Sequence, residues 1–164
     1  MVRVGLGFDI HPLVPGRPFR LAGIRIEYER GPLGHSDGDA LSHAVGDAIL
    51  GAGGCGDLGD WFPDNDPRWR GLPGPDLLGL IRDLVAEKGF RPIQVDSILV
   101  MEKPRLAPFR EAVRGGLAGA LGLETAAVNV KFRTAEGFGP VGQGEALAAY
   151  AVVLVTDNDK EKTG

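Results

Sequence analysis

The first eleven residues alternate between two kinds of side chain, and no other stretch constrains the fold as tightly. Val2, Val4, Leu6, Phe8 and Ile10 fall on one side of a two-residue period, and Arg3, Gly5, Gly7, Asp9 and His11 on the other. Successive side chains of a strand point to opposite faces, so this pattern predicts a strand with one buried apolar face and one polar face. Asp9 and His11 project together from the polar face at its end.

The rest of the chain predicts partners for that strand. Short strands are expected near 18–22 and 24–29 after a Pro-rich turn. Ser36 or Asp37 is the predicted N-cap of a helix reaching about Leu50, with Ala40, Leu41, Ala44, Val45, Ala48 and Ile49 as its apolar stripe. Residues 51–75 read as a long loop dense in Gly, Pro and Asp, a length that marks functional or mobile segments. A helix over about 75–88 closed by Gly89, a strand over 93–101, a helix over about 106–121, and strands over 127–134 and 146–155 complete the prediction. Strands and helices alternate in part, while the opening strands look antiparallel. The predicted class is α/β (α+β mixed), one domain with a mixed β-sheet packed against helices. The domain spans 1–156, and the polar end 157–164 is expected to be a flexible tail.

Composition excludes several function classes. The net charge is −4, and no basic stripe interleaved with aromatics occurs, which argues against nucleic acid as a partner. Cys55 is the only cysteine, so neither an internal disulfide nor a thiolate metal cluster is available. No run approaches the roughly 20 apolar residues of a membrane span, and the N-terminus lacks a continuous apolar signal core. The expected setting is the cytoplasm.

The three histidines, His11, His35 and His43, all lie in the first 43 residues, each near an acid. An Asp-x-His pair on a strand plus a histidine on a helix supplies three nitrogen and oxygen ligands with a fourth position open, the pattern of a catalytic zinc-type site. The competing reading is a surface hydrogen-bonded pair. Asp47, one turn after His43, is either an acceptor orienting the imidazole or a solvated helix residue. Asp57, Asp60, Asp64 and Asp66 are either ligands for ribose hydroxyls and cations or ordinary turn formers. Lys131, Arg133, Thr134 and Glu136 end a strand before glycines, a grouping that suits phosphate oxygens, with Glu136 also able to hold magnesium. Residues 137–142 spell G-x-G-x-x-G, but no long helix follows to make a dinucleotide fingerprint.

GFDIH at 7–11, GHSDGDALSHAVGDAILGA at 34–52, GDLGDWFPDNDP at 56–67 and VNVKFRTAE at 128–136 together resemble the 2-C-methyl-D-erythritol 2,4-cyclodiphosphate synthase family, over nearly the whole chain. The resemblance implies a homotrimer with active sites at subunit interfaces and a place in the non-mevalonate isoprenoid pathway. It also implies cyclisation of 4-diphosphocytidyl-2-C-methyl-D-erythritol 2-phosphate with release of CMP. By position, Asp9, His11 and His43 match zinc ligands, and Glu136 a magnesium or manganese ligand on the diphosphate. His35 and Ser36 match phosphate contacts, with His35 and Thr134 in transition-state-stabilising positions. Asp57, Leu58 and Gly59 match ribose contacts, and Phe62, Pro63, Asp64, Asn65 and Asp66 the loop that encloses substrate. Met101, Glu102, Lys103, Pro104, Arg105, Leu106 and Ala107 match the segment that receives cytosine and its phosphates.

The chain departs from the family at several positions. Arg105 stands where Lys is frequent, and Arg133 where a small hydroxyl residue is common, near the α-phosphate along with Ala135. Pro140 and Gln143 replace Phe and Arg of the trimer's central cavity. No catalytic triad is expected, because the attacking group is the substrate's own phosphate and CMP leaves as an anion. Neutralising crowded phosphates on an acidic protein then falls to the metals. The alternatives are a metal-dependent phosphoesterase, and a non-catalytic trimer that binds metal or nucleotide.

Overall fold

The alternating stretch forms β1 (Val2–Pro15) in a computed structural model that describes residues 1–158. A two-stranded ribbon follows, β2 (Phe19–Leu21) with β3 (Ile24–Ile26), and then the short β4 (Arg30–Pro32). The remaining elements are α1 (Ala40–Gly53), α2 (Leu58–Trp61), α3 (Gly74–Glu87), β5 (Phe90–Val100), α4 (Arg110–Leu121), β6 (Val128–Arg133), α5 (Gly139–Gly142) and β7 (Ala146–Asp157). Five strands form one sheet in the order β4-β1-β7-β5-β6, antiparallel except for the β5–β6 pair. The mixed sheet packed against helices bears out the predicted class. Among the described residues no helix is long and apolar enough to cross a membrane.

The structure reverses the predicted faces of β1. Val2, Val4, Leu6, Phe8 and Ile10 are exposed, Leu6 at 71%, whereas Gly5 and Gly7 are buried. The reason is the approach of α1. A Cβ on Gly5 would lie 1.9 Å from the Ala48 carbonyl oxygen, and one on Gly7 the same distance from that of Ala44. Two glycines on the strand and two alanines on the helix let the backbones touch, so the face without side chains is the buried one. Asp9 and His11 share that face and therefore sit against α1.

Helix α1 is enclosed nearly all round, with Leu50 and Ala52 buried besides the predicted stripe. The inner face of the sheet supplies Leu147, Ala149, Ala151, Val153, Val95, Leu99, Val128 and Val130 to the same core, and Ile81, Leu78 and Leu117 close it from α3 and α4. Among the described residues no layer covers the outer face.

The N-cap of α1 is Asp39, not Ser36 or Asp37. Gly38 turns the chain at φ +75°, which delays the helix, and Asp37 is used elsewhere, accepting from the amides of Asp39 at 3.1 Å and Gly74 at 2.9 Å. Asp39 is fully buried and accepts from the Ser42 amide at 3.0 Å and the Ser42 hydroxyl at 2.8 Å. Burial first, then the charge of Asp37, pushes its carboxyl up to about 6 against those two bonds.

The expected loop 51–75 is shorter in fact, because α1 runs to Gly53 and α3 starts at Gly74, with α2 and a single 3-10 turn (Pro67–Trp69) between them. Three of its aspartates are caps: Asp57 and Asp60 form a reciprocal capping box on α2, and Asp66 caps the 3-10 turn. At the far end, Asp157 is paired in β7 and the Asn158 amide donates to the Gly89 carbonyl at 2.8 Å. The rest of the expected tail, 159–164, lies outside the described residues.

Two outcomes follow from these contacts. Gly7→Ala drives a methyl into a helix carbonyl that no side-chain motion can relieve, and should lower unfolding stability in urea by about 3 kcal/mol or more. A loss below about 1 kcal/mol would show that α1 can retreat. Asp39 carries no penalty below its ordinary 3.8 and a growing one as pH rises to about 6, since its folded pKa is the higher. The stability of Asp39→Asn relative to the unaltered protein should therefore improve between pH 4 and pH 7 by on the order of 2–3 kcal/mol. An unchanged difference across that range would refute the buried charge.

Candidate metal centre and active-site cleft

Two elements converge on one point. β1 brings Asp9 and His11 on its inner face, and α1 brings His43 one turn from its start. The side chains are 22%, 16% and 11% exposed, respectively. Asp9 Oδ2 lies 2.8 Å from His11 Nε2 and 2.9 Å from His43 Nδ1, and the two nitrogens are 3.3 Å apart. The imidazoles meet edge to face at 67°.

The outer nitrogens of both rings are committed. His11 Nδ1–H donates to the Leu33 carbonyl at 3.1 Å, and His43 Nε2 is 2.9 Å from the Ser36 hydroxyl. A neutral His11 that donates outward turns its Nε2 lone pair toward the carboxylate and the other ring. Three donor atoms facing one another at this distance repel unless a cation lies among them. Tetrahedral bonds of about 2.0–2.1 Å space their donors about 3.3 Å apart, so the set fits a divalent ion with small adjustment. The protons that substitute for an ion leave the same signature. Burial alone would raise the Asp9 carboxyl, but hydrogen bonds from His11 and His43 and their charge hold it well below the ordinary carboxylate range. Burial alone would lower His43, but the bond and charge of Asp9 raise it, with Asp39 and Asp37 adding to the effect.

Asp47 is not the acceptor on His43. Its Oδ1 accepts from the Leu58 amide at 3.3 Å and ties α1 to α2. Burial raises its carboxyl against that bond, with the charges of Asp57 and Asp9 adding to the rise.

The three donors line the floor of a cleft of about 720 Å³. His35 and Ser36, on the segment between β4 and α1, line it too, as do Leu58, Gly59, Phe62, Pro63, Asp64 and Asn65. Asp57 and Asp66 stand behind this wall as caps rather than on it. The residue pattern alone did not reveal Leu33, which holds His11 through its backbone, or Trp69, whose ring meets Phe62 at 5.0 Å. A backbone acceptor leaves no side-chain signal, whereas a tryptophan beside the Phe-Pro-Asp loop was visible.

The other predicted residues gather elsewhere. Met101 to Ala107, which include a cis Lys103–Pro104 bond, adjoin Arg133 to Glu136 at the ends of β5 and β6. Glu102 Oε1 accepts from the amides of Ala135 at 2.8 Å and Gly137 at 3.3 Å. Thr134 donates its hydroxyl to Glu136 at 2.8 Å, and Glu136 holds a left-handed φ of 52°. Met101 and Leu106 are buried, while Lys103, Arg105, Ala107, Arg133, Thr134 and Glu136 are exposed. Pro140 lies in α5 and Gln143 caps it. Register links Asp9 to Ala149, Ala149 to Leu99 and Leu99 to Phe132. This cluster thus occupies the same end of the sheet, three strand spacings or about 14 Å from the Asp9 strand.

Comparison with known proteins agrees with this geometry. Residues 2–156 match the model of the YgbB family. A 2-C-methyl-D-erythritol 2,4-cyclodiphosphate synthase of Synechococcus sp. (strain JA-2-3B'a(2-13)) is 51% identical over 95% of this chain and 99% of its own. That of Pelotomaculum thermopropionicum is 48% identical over 94% and 95%, respectively. A solved 2C-methyl-D-erythritol-2,4-cyclodiphosphate synthase in its CDP-bound form superposes with a TM-score of 0.86 at 40% identity, covering 94% of this chain and all of that one. With near-complete coverage in both directions, the chain belongs to the YgbB family, the group of 2-C-methyl-D-erythritol 2,4-cyclodiphosphate synthases.

Proposed function

We propose that the chain converts 4-diphosphocytidyl-2-C-methyl-D-erythritol 2-phosphate to 2-C-methyl-D-erythritol 2,4-cyclodiphosphate and CMP, as a phosphorus–oxygen lyase of the non-mevalonate isoprenoid pathway. The observation that carries the reading is the Asp9, His11 and His43 donor set, its outer nitrogens tied down, on the floor of a cleft sized for a small molecule. We assign zinc to that set, and magnesium or manganese to Glu136 with the substrate diphosphate.

The 2-phosphate oxygen of the substrate attacks the β-phosphorus, a ring P–O bond forms, and the bond to the CMP oxygen breaks with its electron pair. No base is needed, because the nucleophile is already an anion. Asp9, His11 and His43 would hold a divalent ion, which would supply positive charge to the phosphate oxygens as charge spreads over them. His35 and Ser36 hold the phosphate against the floor, and Phe62 to Asn65 wall the cleft so that water does not compete as a nucleophile. Thr134 aligns the diphosphate. Cytosine and its phosphates are received by Met101 to Ala107, Arg133 and Ala135, and the ribose near Asp57, Leu58 and Gly59.

The site is completed by a neighbour in a trimer. Two features support this. Val2, Val4, Leu6, Phe8 and Ile10, with Tyr150 and Val152, form an apolar sheet face 41% to 71% exposed, and contiguous exposed apolar patches mark interaction surfaces. The cytidine-binding cluster and the cleft stand about 14 Å apart in one chain, so a second copy that sets its cluster against this cleft closes the gap.

Incubation with the diphosphocytidyl substrate, read by phosphorus NMR, should yield a cyclic diphosphate and CMP. An acyclic phosphate would identify a phosphoesterase, and unchanged substrate a binding protein. His43→Ala should lose its zinc and most activity while keeping its circular dichroism; zinc retained at full stoichiometry would sink the ligand assignment. Inactive His43→Ala and Thr134→Ala subunits, unfolded and reassembled together, should regain activity. Continued inactivity of the mixture would place each site within one chain.

A further inference from the structure

His43 has one ring nitrogen facing Asp9 and His11, and the other 2.9 Å from Ser36 Oγ. The two inner nitrogens differ in what stands behind them. His11 is fixed by the Leu33 carbonyl, which only accepts, so its proton position is set by the backbone. His43 is fixed by a hydroxyl, which both donates and accepts. Without an ion, His43 Nδ1–H donates to Asp9, and the Ser36 hydroxyl donates to Nε2. With an ion on Nδ1, the imidazole proton must sit on Nε2, and the same oxygen accepts it. Ser36 satisfies His43 in both states without moving.

The second state has a further result. Ser36 Oγ is also within 3.4 Å of the Gly38 amide, which donates to it. A hydroxyl oxygen accepting from both His43 Nε2–H and Gly38 N–H has used both lone pairs. Its own proton must then be donated elsewhere, and Ser36 lines the cleft. An anionic oxygen there is the matching acceptor.

We propose that Ser36 is a positioning residue that holds His43 in its metal-binding tautomer and, through its own hydroxyl proton, makes metal and phosphate binding in the cleft reinforce each other. This rests on the reading of Asp9, His11 and His43 as a metal centre. The coupling is reciprocal: an ion turns the hydroxyl toward phosphate, and phosphate holds the hydroxyl in the state that favours the ion.

The test uses the full chain stripped of metal, titrated with zinc against a chromophoric chelator, with and without CDP. Ser36→Ala should weaken zinc binding about 10–100-fold, the usual effect of removing a partner behind a ligand histidine. Ser36→Thr, which keeps the hydroxyl, should recover most of it. Saturating CDP should tighten zinc in the unaltered protein and fail to do so in Ser36→Ala. Undiminished zinc affinity in Ser36→Ala, or an undiminished CDP effect, overturns the proposal. Nitrogen-15 spectra of the zinc-loaded unaltered protein provide a measurement free of variants: a proton on His43 Nε2 is expected, and its absence overturns the role. Failure of the unaltered protein to bind zinc would overturn the metal centre itself, an outcome distinct from equal binding by variant and parent.

Discussion

The contact between β1 and α1 governs the rest of the molecule. Gly5 and Gly7 leave room for the Ala44 and Ala48 carbonyls to reach the strand backbone, at distances that any Cβ would forbid. That approach fixes where a helical side chain meets a strand side chain. His43, one residue before Ala44, meets Asp9 and His11, which continue the glycine face. A bulkier residue on either element would hold the backbones at ordinary helix–sheet distance and spread the three donors apart. The close packing is therefore as much a part of the candidate metal centre as the three donors are.

Around that contact the chain holds its site loops with carboxylates and backbone. Asp37 and Asp39 secure the start of α1 against α3 and the β2–β3 ribbon, while Asp47 secures α2. The segment carrying His35 and Ser36 lies between these anchors. Net negative charge is thus gathered next to the cleft proposed to take phosphates, an arrangement in keeping with the cations proposed there. Asp9 held ionised beneath two histidines expresses the same demand locally.

The other half of the proposed chemistry sits three strands away. Glu102 braces the turn that carries Thr134 and Glu136. The separation and the uncovered apolar face of the sheet are both accounted for by the proposed neighbouring copy. In this view the outer residues of β1 are not misplaced core but interface.

The mixed α/β class and the helix about His43 were legible in the residues, because each depends on local period, and the three candidate donors were legible through the motifs that surround them. Asp-x-His places two side chains on one face of any strand, and no tertiary contact changes that. Which face of β1 was buried was not legible. Hydropathy assigns burial to apolar side chains, and glycine contributes none, yet a glycine face can be buried most deeply of all when a helix backbone lies on it. The loop aspartates left two readings open, since a capping carboxylate and a ligand carboxylate have the same sequence signature, and the structure shows Asp57, Asp60 and Asp66 in caps. Sequence by itself offered Asp9, His11 and His43 as candidate donors, because the strand period puts Asp9 and His11 on one face and the motifs around all three resemble those of the family. Only the tertiary structure decided how they meet and which nitrogen each histidine turns inward, because those depend on distances between backbones far apart in the chain.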